Sequence, residues 1–119
     1  MPRPRMTPME VLRALRQRVY TVDLDTGELT RRQTGRVVTP FTKKGGRKLV
    51  RVYVAGKVKA IHLARLVWMA GANRTIPKEF EVHHRDEQND SDGFENLICL
   101  HKLDHRKMHA HVVEEPIPW

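Results

Sequence analysis

Residues 81–97 read EVHHRDEQNDSDGFENL. Two adjacent histidines, His83 and His84, precede a polar run crowded with acids, and Asn96-Leu97 then lead into the apolar segment LICL. FEVHH has the composition of a short strand, the acidic run that of a loop, LICL that of a second strand and KLDHRKMHAH that of a terminal helix. Side chains adjacent on a strand point to opposite faces, so the two imidazoles are not expected to share one task. If one ligates a metal, the other remains available to handle a proton. Imidazole, with a reference pKa of about 6.5, is a suitable general base at neutral pH.

The acids invite a calcium loop, but the register fails. An EF-hand needs Gly at its sixth position and Glu at its twelfth. Counting from Asp86 puts Ser91 and Leu97 there, and counting back from Gly93 puts Cys99 at the twelfth. The run is therefore a connecting loop, with Asp86 fixing the turn after His84 and Asp90 and Asp92 keeping the loop polar.

Downstream, His105 and His109 are four residues apart, which on a helix places them on one face about one turn apart. That spacing suits two ligands of one metal ion, although two surface histidines would show it too. All seven histidines (62, 83, 84, 101, 105, 109, 111) lie in the second half of the chain. The cations are distributed oppositely. Residues 1–60 carry fifteen Lys and Arg against four Asp and Glu, while residues 61–119 carry seven against ten, giving +8 in total. A basic half of that strength points to a polyanion, with nucleic acid the leading candidate.

The length of 119 residues suits a single domain, 39% hydrophobic and 30% charged. No apolar run approaches the roughly 18 residues of a membrane span, and no apolar core of a signal peptide follows the basic start. One cysteine, Cys99, excludes an internal disulfide and a Cys-rich zinc ribbon, and a cytoplasmic location is expected.

The chain divides into a basic N-terminal helix (1–19), a basic hairpin region with a following helix (20–72), the histidine-rich unit (79–111) and a tail (112–119). Thr7, Pro8 and Glu10 form a helix-start signal with a capping box, and Val11, Leu12, Leu15 and Val19 form its apolar stripe. YTVDL-DTG-ELT reads as a hairpin, RVVTPF as one strand and KKGGRK as a basic turn. LVRVYVAGKVKAIHL alternates and turns at Ala55-Gly56, giving a twisted hairpin with one basic face. HLARLVWMAG reads as a helix ended by Gly71, with Leu63, Leu66, Val67 and Ala70 on its buried side.

The segment VHHRDEQNDSDGFENLICLHKLDHRKMH resembles the HNH endonuclease motif, a ββα-metal site, in its Val82-His83-His84-x-Asp86, its Glu95-Asn96-Leu97 and its His105 and His109. The upstream GGRKLVRVYVAGKVKAIHLARLVWMAG is similar, more loosely, to the strand-turn-strand-helix that precedes the motif in phage homing-type members. The fold class expected is α+β, with the ββα-metal motif in the C-terminal half behind a small antiparallel sheet and an N-terminal helix.

The resemblance implies a metal-dependent DNA endonuclease, nicking or cutting both strands, that leaves a 3′-hydroxyl and a 5′-phosphate. By position, His83 corresponds to the first metal ligand, His84 to the general base, Asn96 to the asparagine that braces the loop and orients His84, and His105 and His109 to the remaining ligands. One divalent ion is implied. Many homing-type members use oxygen ligands suited to Mg²⁺, whereas three imidazoles favour Zn²⁺, Ni²⁺, Co²⁺ or Mn²⁺. Double-stranded DNA is the expected partner, bound by a monomer or a homodimer.

Lys43, Lys44, Arg47 and Lys48 are the first choice for backbone contacts, together with Arg51 on the basic hairpin face. Arg65, Arg85 and Arg106 are the candidates for clamping the scissile phosphate. His62 is read as structural or phosphate-contacting, and Cys99 as a buried thiol. The competing reading is a non-catalytic DNA-binding protein with a structural or degenerate metal site. Such a site would have no use for the additional His84.

Overall fold

The computed structural model describes residues 6–43, 46–85 and 91–103. Helix α1 (Pro8–Arg16) starts as its sequence dictates. The Thr7 hydroxyl accepts from the Glu10 N–H at 3.3 Å, and the Glu10 carboxylate accepts from the Thr7 N–H at 3.1 Å. Val11, Leu12 and Ala14 are buried. Val19, expected on the same stripe, is exposed, because the helix ends at Arg16 and Arg18 turns the chain with a left-handed φ of 59°.

Strands β1 (Tyr20–Val22), β2 (Leu29–Arg31) and β3 (Arg36–Val37) form the first antiparallel sheet. The Asp23 carboxylate holds the β1–β2 turn by accepting from the N–H groups of Asp25 and Thr26 at 2.9 and 3.3 Å. RVVTPF is not one strand. After β3 the chain crosses to a second sheet, where β4 (Phe41–Thr42) pairs with β5 (Lys48–Val54). Pro40 has no N–H to offer a ladder and stands at that break.

β5 and β6 (Lys57–His62) make the expected hairpin, with Val54 opposite Lys57. Ala55 and Gly56 both take left-handed φ (50° and 75°), as the tightest hairpin turns require. Val50 and Val52 face the core, while Arg51 and Tyr53 face outward. The Arg51 guanidinium lies 4.4 Å from the Phe41 ring centroid, a cation–π contact.

Helix α2 (Leu63–Ala72) follows β6 without a loop and buries Leu63, Ala64, Leu66, Val67 and Met69. It packs on α1 and on β5, β6, β7 and β8, so the core surrounds it. Gly71 does not end it. The helix runs through to Ala72, and Asn73 caps it in the left-handed conformation, donating its N–H to the Met69 carbonyl. The Arg16 guanidinium then holds Asn73, donating to its side-chain oxygen at 2.8 Å and its carbonyl at 3.0 Å. Gly71 is needed inside the helix because the Phe94 ring occupies the space a Cβ would fill.

β7 (Phe80–His84) and β8 (Leu97–His101) pair antiparallel, with His84 opposite Leu97. A 3-10 turn at Phe94–Asn96 leads into β8. The elements of the described residues are thus two helices and three small antiparallel sheets, an α+β arrangement. The terminal helix expected over KLDHRKMHAH lies outside the described residues beyond Leu103, as does the tail.

Replacing a helical glycine with alanine ordinarily stabilises by up to about 1 kcal/mol. At Gly71 the sign should invert. Gly71→Ala is expected to cost about 1–3 kcal/mol through overpacking against Phe94, read as a lower denaturant midpoint at unchanged slope. A midpoint equal to or above wild type would show that the ring moves aside freely.

Candidate active site

Four consecutive residues of β7, Glu81 to His84, line a cleft of about 230 Å³. Adjacent residues of a strand point to opposite faces, so residues of both orientations border the cleft. Its other walls are Arg47 and Lys48 at the start of β5, His62 at the end of β6, Ala64 and Arg65 in the first turn of α2, and Asp92. The local fold accounts for this convergence. Leu49 pairs with His62, which brings the start of β5 beside the end of β6, and α2 begins at the next residue.

Asp92 is the member that sequence reading missed. It is only 4% exposed, although it belongs to the run read as a solvated loop. The His84 ring donates from Nε2 to Asp92 Oδ1 at 2.9 Å, and Lys48 Nζ donates to Oδ2 at 3.1 Å. Burial pushes the Asp92 carboxyl up, but the hydrogen bonds and charges of His84 and Lys48 outweigh it, so the group titrates below its ordinary value of 3.8. Nothing in the composition of the run distinguishes Asp92 from Asp86 or Asp90. The one available signal was its position before Gly93-Phe94, where the loop must turn back against the core.

The backbone around Asp92 is held from several sides. A Cβ on Gly27 (φ 79°) would lie 2.6 Å from both the Cβ and the carbonyl oxygen of Asp92, so only glycine fits there. The Phe94 N–H donates to the Leu24 carbonyl at 2.7 Å. The Asn96 side-chain N–H donates to the Ser91 carbonyl at 2.7 Å, and the Asn96 carbonyl accepts from the Arg85 N–H at 2.7 Å. Asn96 therefore links the loop just before Asp92 to the chain just after His84.

The field in the cleft is positive. Burial lowers the His62 pKa below 6.5, and Arg47, Arg65 and Lys43 lower it further, so His62 is mainly neutral at pH 7. An anionic phosphate entering the cleft would meet the same cations with the opposite sign of energy.

The cleft unites His83, His84, Arg47, Lys48 and Arg65 with His62, all singled out from sequence. Lys48, expected to contact DNA, is ion-paired with Asp92 at 3.1 Å and stays partly exposed. Arg51 lies on the outer face of the second sheet, and Lys43 lies in the exposed turn before β5. Arg85 lines a different, largely apolar groove with Trp68, Phe80 and Phe94. Lys44, His105, Arg106 and His109, with Asp86, Asp90 and His111, lie outside the described residues. Among the described residues, no three His, Cys, Asp or Glu side chains form a group able to hold a metal ion. His101 packs edge-on against Phe80 at 5.3 Å. Cys99 is buried in β8, and burial pushes its thiol up to about 11, leaving it protonated and unreactive.

No protein-family model matches the sequence, and no curated protein resembles it. The fold is similar to that of the HNH homing endonuclease I-HmuI, whose structure was described for DNA binding and cleavage. The TM-score is 0.65 at 20% identity, over 76% of this chain and 51% of that one. The likeness is one of fold, and this chain spans about half the length of that endonuclease.

A carboxyl whose pKa is lowered by folding stabilises the native state above its unfolded value and loses that contribution as pH falls through its folded value. Asp92→Asn is therefore expected to cost about 1–3 kcal/mol at pH 7. The gap from wild type should close as pH falls below about 4. Paired thermal melts at pH 7 and pH 3 check this, and a gap of equal size at both would remove the ionised Asp92 from the account.

Proposed function

We propose that the cleft hydrolyses phosphodiester bonds in double-stranded DNA. The observation that carries this reading is the convergence of the His83-His84 pair with Arg47 and Arg65 in one positively charged cleft, on a fold like that of an HNH endonuclease. A base able to take a proton from water stands beside cations able to hold a phosphate.

His84 is the residue assigned to proton transfer, accepting the proton of the attacking water at a ring nitrogen. Arg65 and Arg47 hold the scissile phosphate by charge-assisted hydrogen bonds and stabilise the charge it gains on attack. The choice among the arginines follows from placement, since Arg65 lines the cleft and Arg85 lines the groove beside Phe94. Asn96 holds the loop that contacts His84. The exposed Arg51 and Lys43 offer further cations for the DNA backbone outside the cleft.

The reading takes His83, which lines the cleft, as one metal ligand, and the described residues hold no full donor set. The reading completes that set with His105 and His109, whose four-residue spacing suits one ion. A divalent transition metal bound there would supply Lewis-acid charge for the phosphorane and the leaving oxygen.

A plasmid assay across Mg²⁺, Mn²⁺, Ni²⁺ and Zn²⁺, resolving nicked from linear product, tests the activity. His84→Ala should lower the cleavage rate by about 100-fold or more while metal and DNA binding persist. A variant that cuts as wild type does would remove His84 from the mechanism. DNA bound but never cut with any metal would favour the non-catalytic reading. Arg65→Ala should lower cleavage by about 10- to 100-fold, the worth of a charge-assisted hydrogen bond, and Arg85→Ala much less. The reverse order would relocate the phosphate to the other groove.

A further inference from the structure

Asp92 has a role in the cleft that the fold comparison does not supply. Its two oxygens are divided between two donors on different sheets, Oδ1 to the His84 ring on β7 and Oδ2 to Lys48 on β5. Its own backbone is wedged against Gly27 in the β1–β2 turn, and the next residue, Gly93, approaches the Asp25 carbonyl so closely that a Cβ there would overlap it. The carboxylate therefore has little freedom to move away from the ring.

An ionised carboxylate can only accept hydrogen bonds, so the shared proton belongs to the imidazole. We infer that Asp92 is a positioning residue that fixes the His84 tautomer, holding the proton on Nε2 and leaving Nδ1 as the nitrogen that receives a proton from water. A neutral imidazole carries one N–H and one lone pair. A partner that fixes the first thereby fixes the direction in which the second can act. Asp92 itself takes no proton in this scheme. When His84 becomes charged after accepting from water, the carboxylate beside it offsets that charge, as an acid behind a catalytic imidazole does elsewhere.

Two details fit this role better than that of a loop acid. The first is its burial, which takes a carboxylate out of water and leaves it dependent on its donors. The second is the Asn96 contact to Ser91, which anchors the residue immediately before it. Asn96 thus acts on His84 through Asp92 as well as through the Arg85 backbone. The assignment rests on reading His84 as the base, and the experiment separates the two.

The full chain, labelled with ¹⁵N-histidine, is examined by long-range ¹H–¹⁵N correlation at pH 8, with His84→Ala identifying the ring. In wild type the His84 ring should show a single neutral tautomer protonated at Nε2. In Asp92→Asn the amide can turn its NH₂ toward the ring and donate instead, so the Nδ1-protonated form should gain population. Single-turnover cleavage by Asp92→Asn should fall about 100-fold or more, the scale of general-base catalysis, with DNA affinity unchanged.

A wild-type ring that is a tautomer mixture, or one protonated at Nδ1, overturns the inference without recourse to the variant, so the result stands even if Asp92→Asn fails to fold. Wild-type cleavage rates in a folded Asp92→Asn overturn it too, and leave the nuclease reading in place. A wild-type chain that shows the fixed tautomer but cuts no DNA under any metal supports the positioning and removes the nuclease reading.

Discussion

A carboxylate withdrawn from water must find hydrogen-bond donors, and Asp92 finds them on two different sheets. Lys48 comes from the second sheet and His84 from the third, while the backbone of Asp92 rests on Gly27 in the turn of the first. The three sheets share no ladder with one another among the described residues. The second and third pack on α2, the Tyr53 N–H ties the second to the first by donating to the Tyr20 hydroxyl at 2.9 Å, and at the cleft all three meet at Asp92. The energetic asymmetry of buried charge keeps the junction in place. The intact set roughly balances its desolvation, whereas the loss of one partner leaves a charge stranded.

Much of the fold was legible because its elements obey local rules. The capping box at Thr7–Glu10, the alternation of β5 and the Ala55-Gly56 turn each depend on residues a few positions apart. Departures occurred where a distant residue overrode the local signal. Gly71 reads as a helix stop until Phe94 is seen against it, and Asn73 then takes the terminal position. RVVTPF reads as one strand until its two ends join different sheets. Asp92 is the same case in the site. Burial is a property of the folded chain, and a run of acids gives no local sign of which one will lose its water.

The histidine pair shows how far a periodicity argument reaches. The expectation that adjacent strand residues face opposite ways is sound, yet His83 and His84 both line the cleft. Opposite orientation and a shared site are therefore compatible. The basic half of the sequence was likewise legible as a field but not as a surface. Its cations divide between the cleft (Arg47, Lys48), the outer sheet face (Arg51) and inter-element ion pairs such as Lys57 with Glu10. The pKa of His62 is lowered first by burial and then by Arg47, Arg65 and Lys43, so even a cation in the turn outside the cleft is felt at that imidazole.

The Asp92 junction also bears on when the site comes into being during folding. His84 is eight residues from Asp92, but Lys48 is 44 away, and Gly27 is more distant still. Contacts of that separation close late, because the loop entropy has to be met before they return any stability. The histidines reach one another early, on a single short strand, but the carboxylate that orients His84 arrives only with the complete fold. A partly folded chain would therefore carry the imidazoles without their alignment, so competence at the cleft would be a property of the finished molecule.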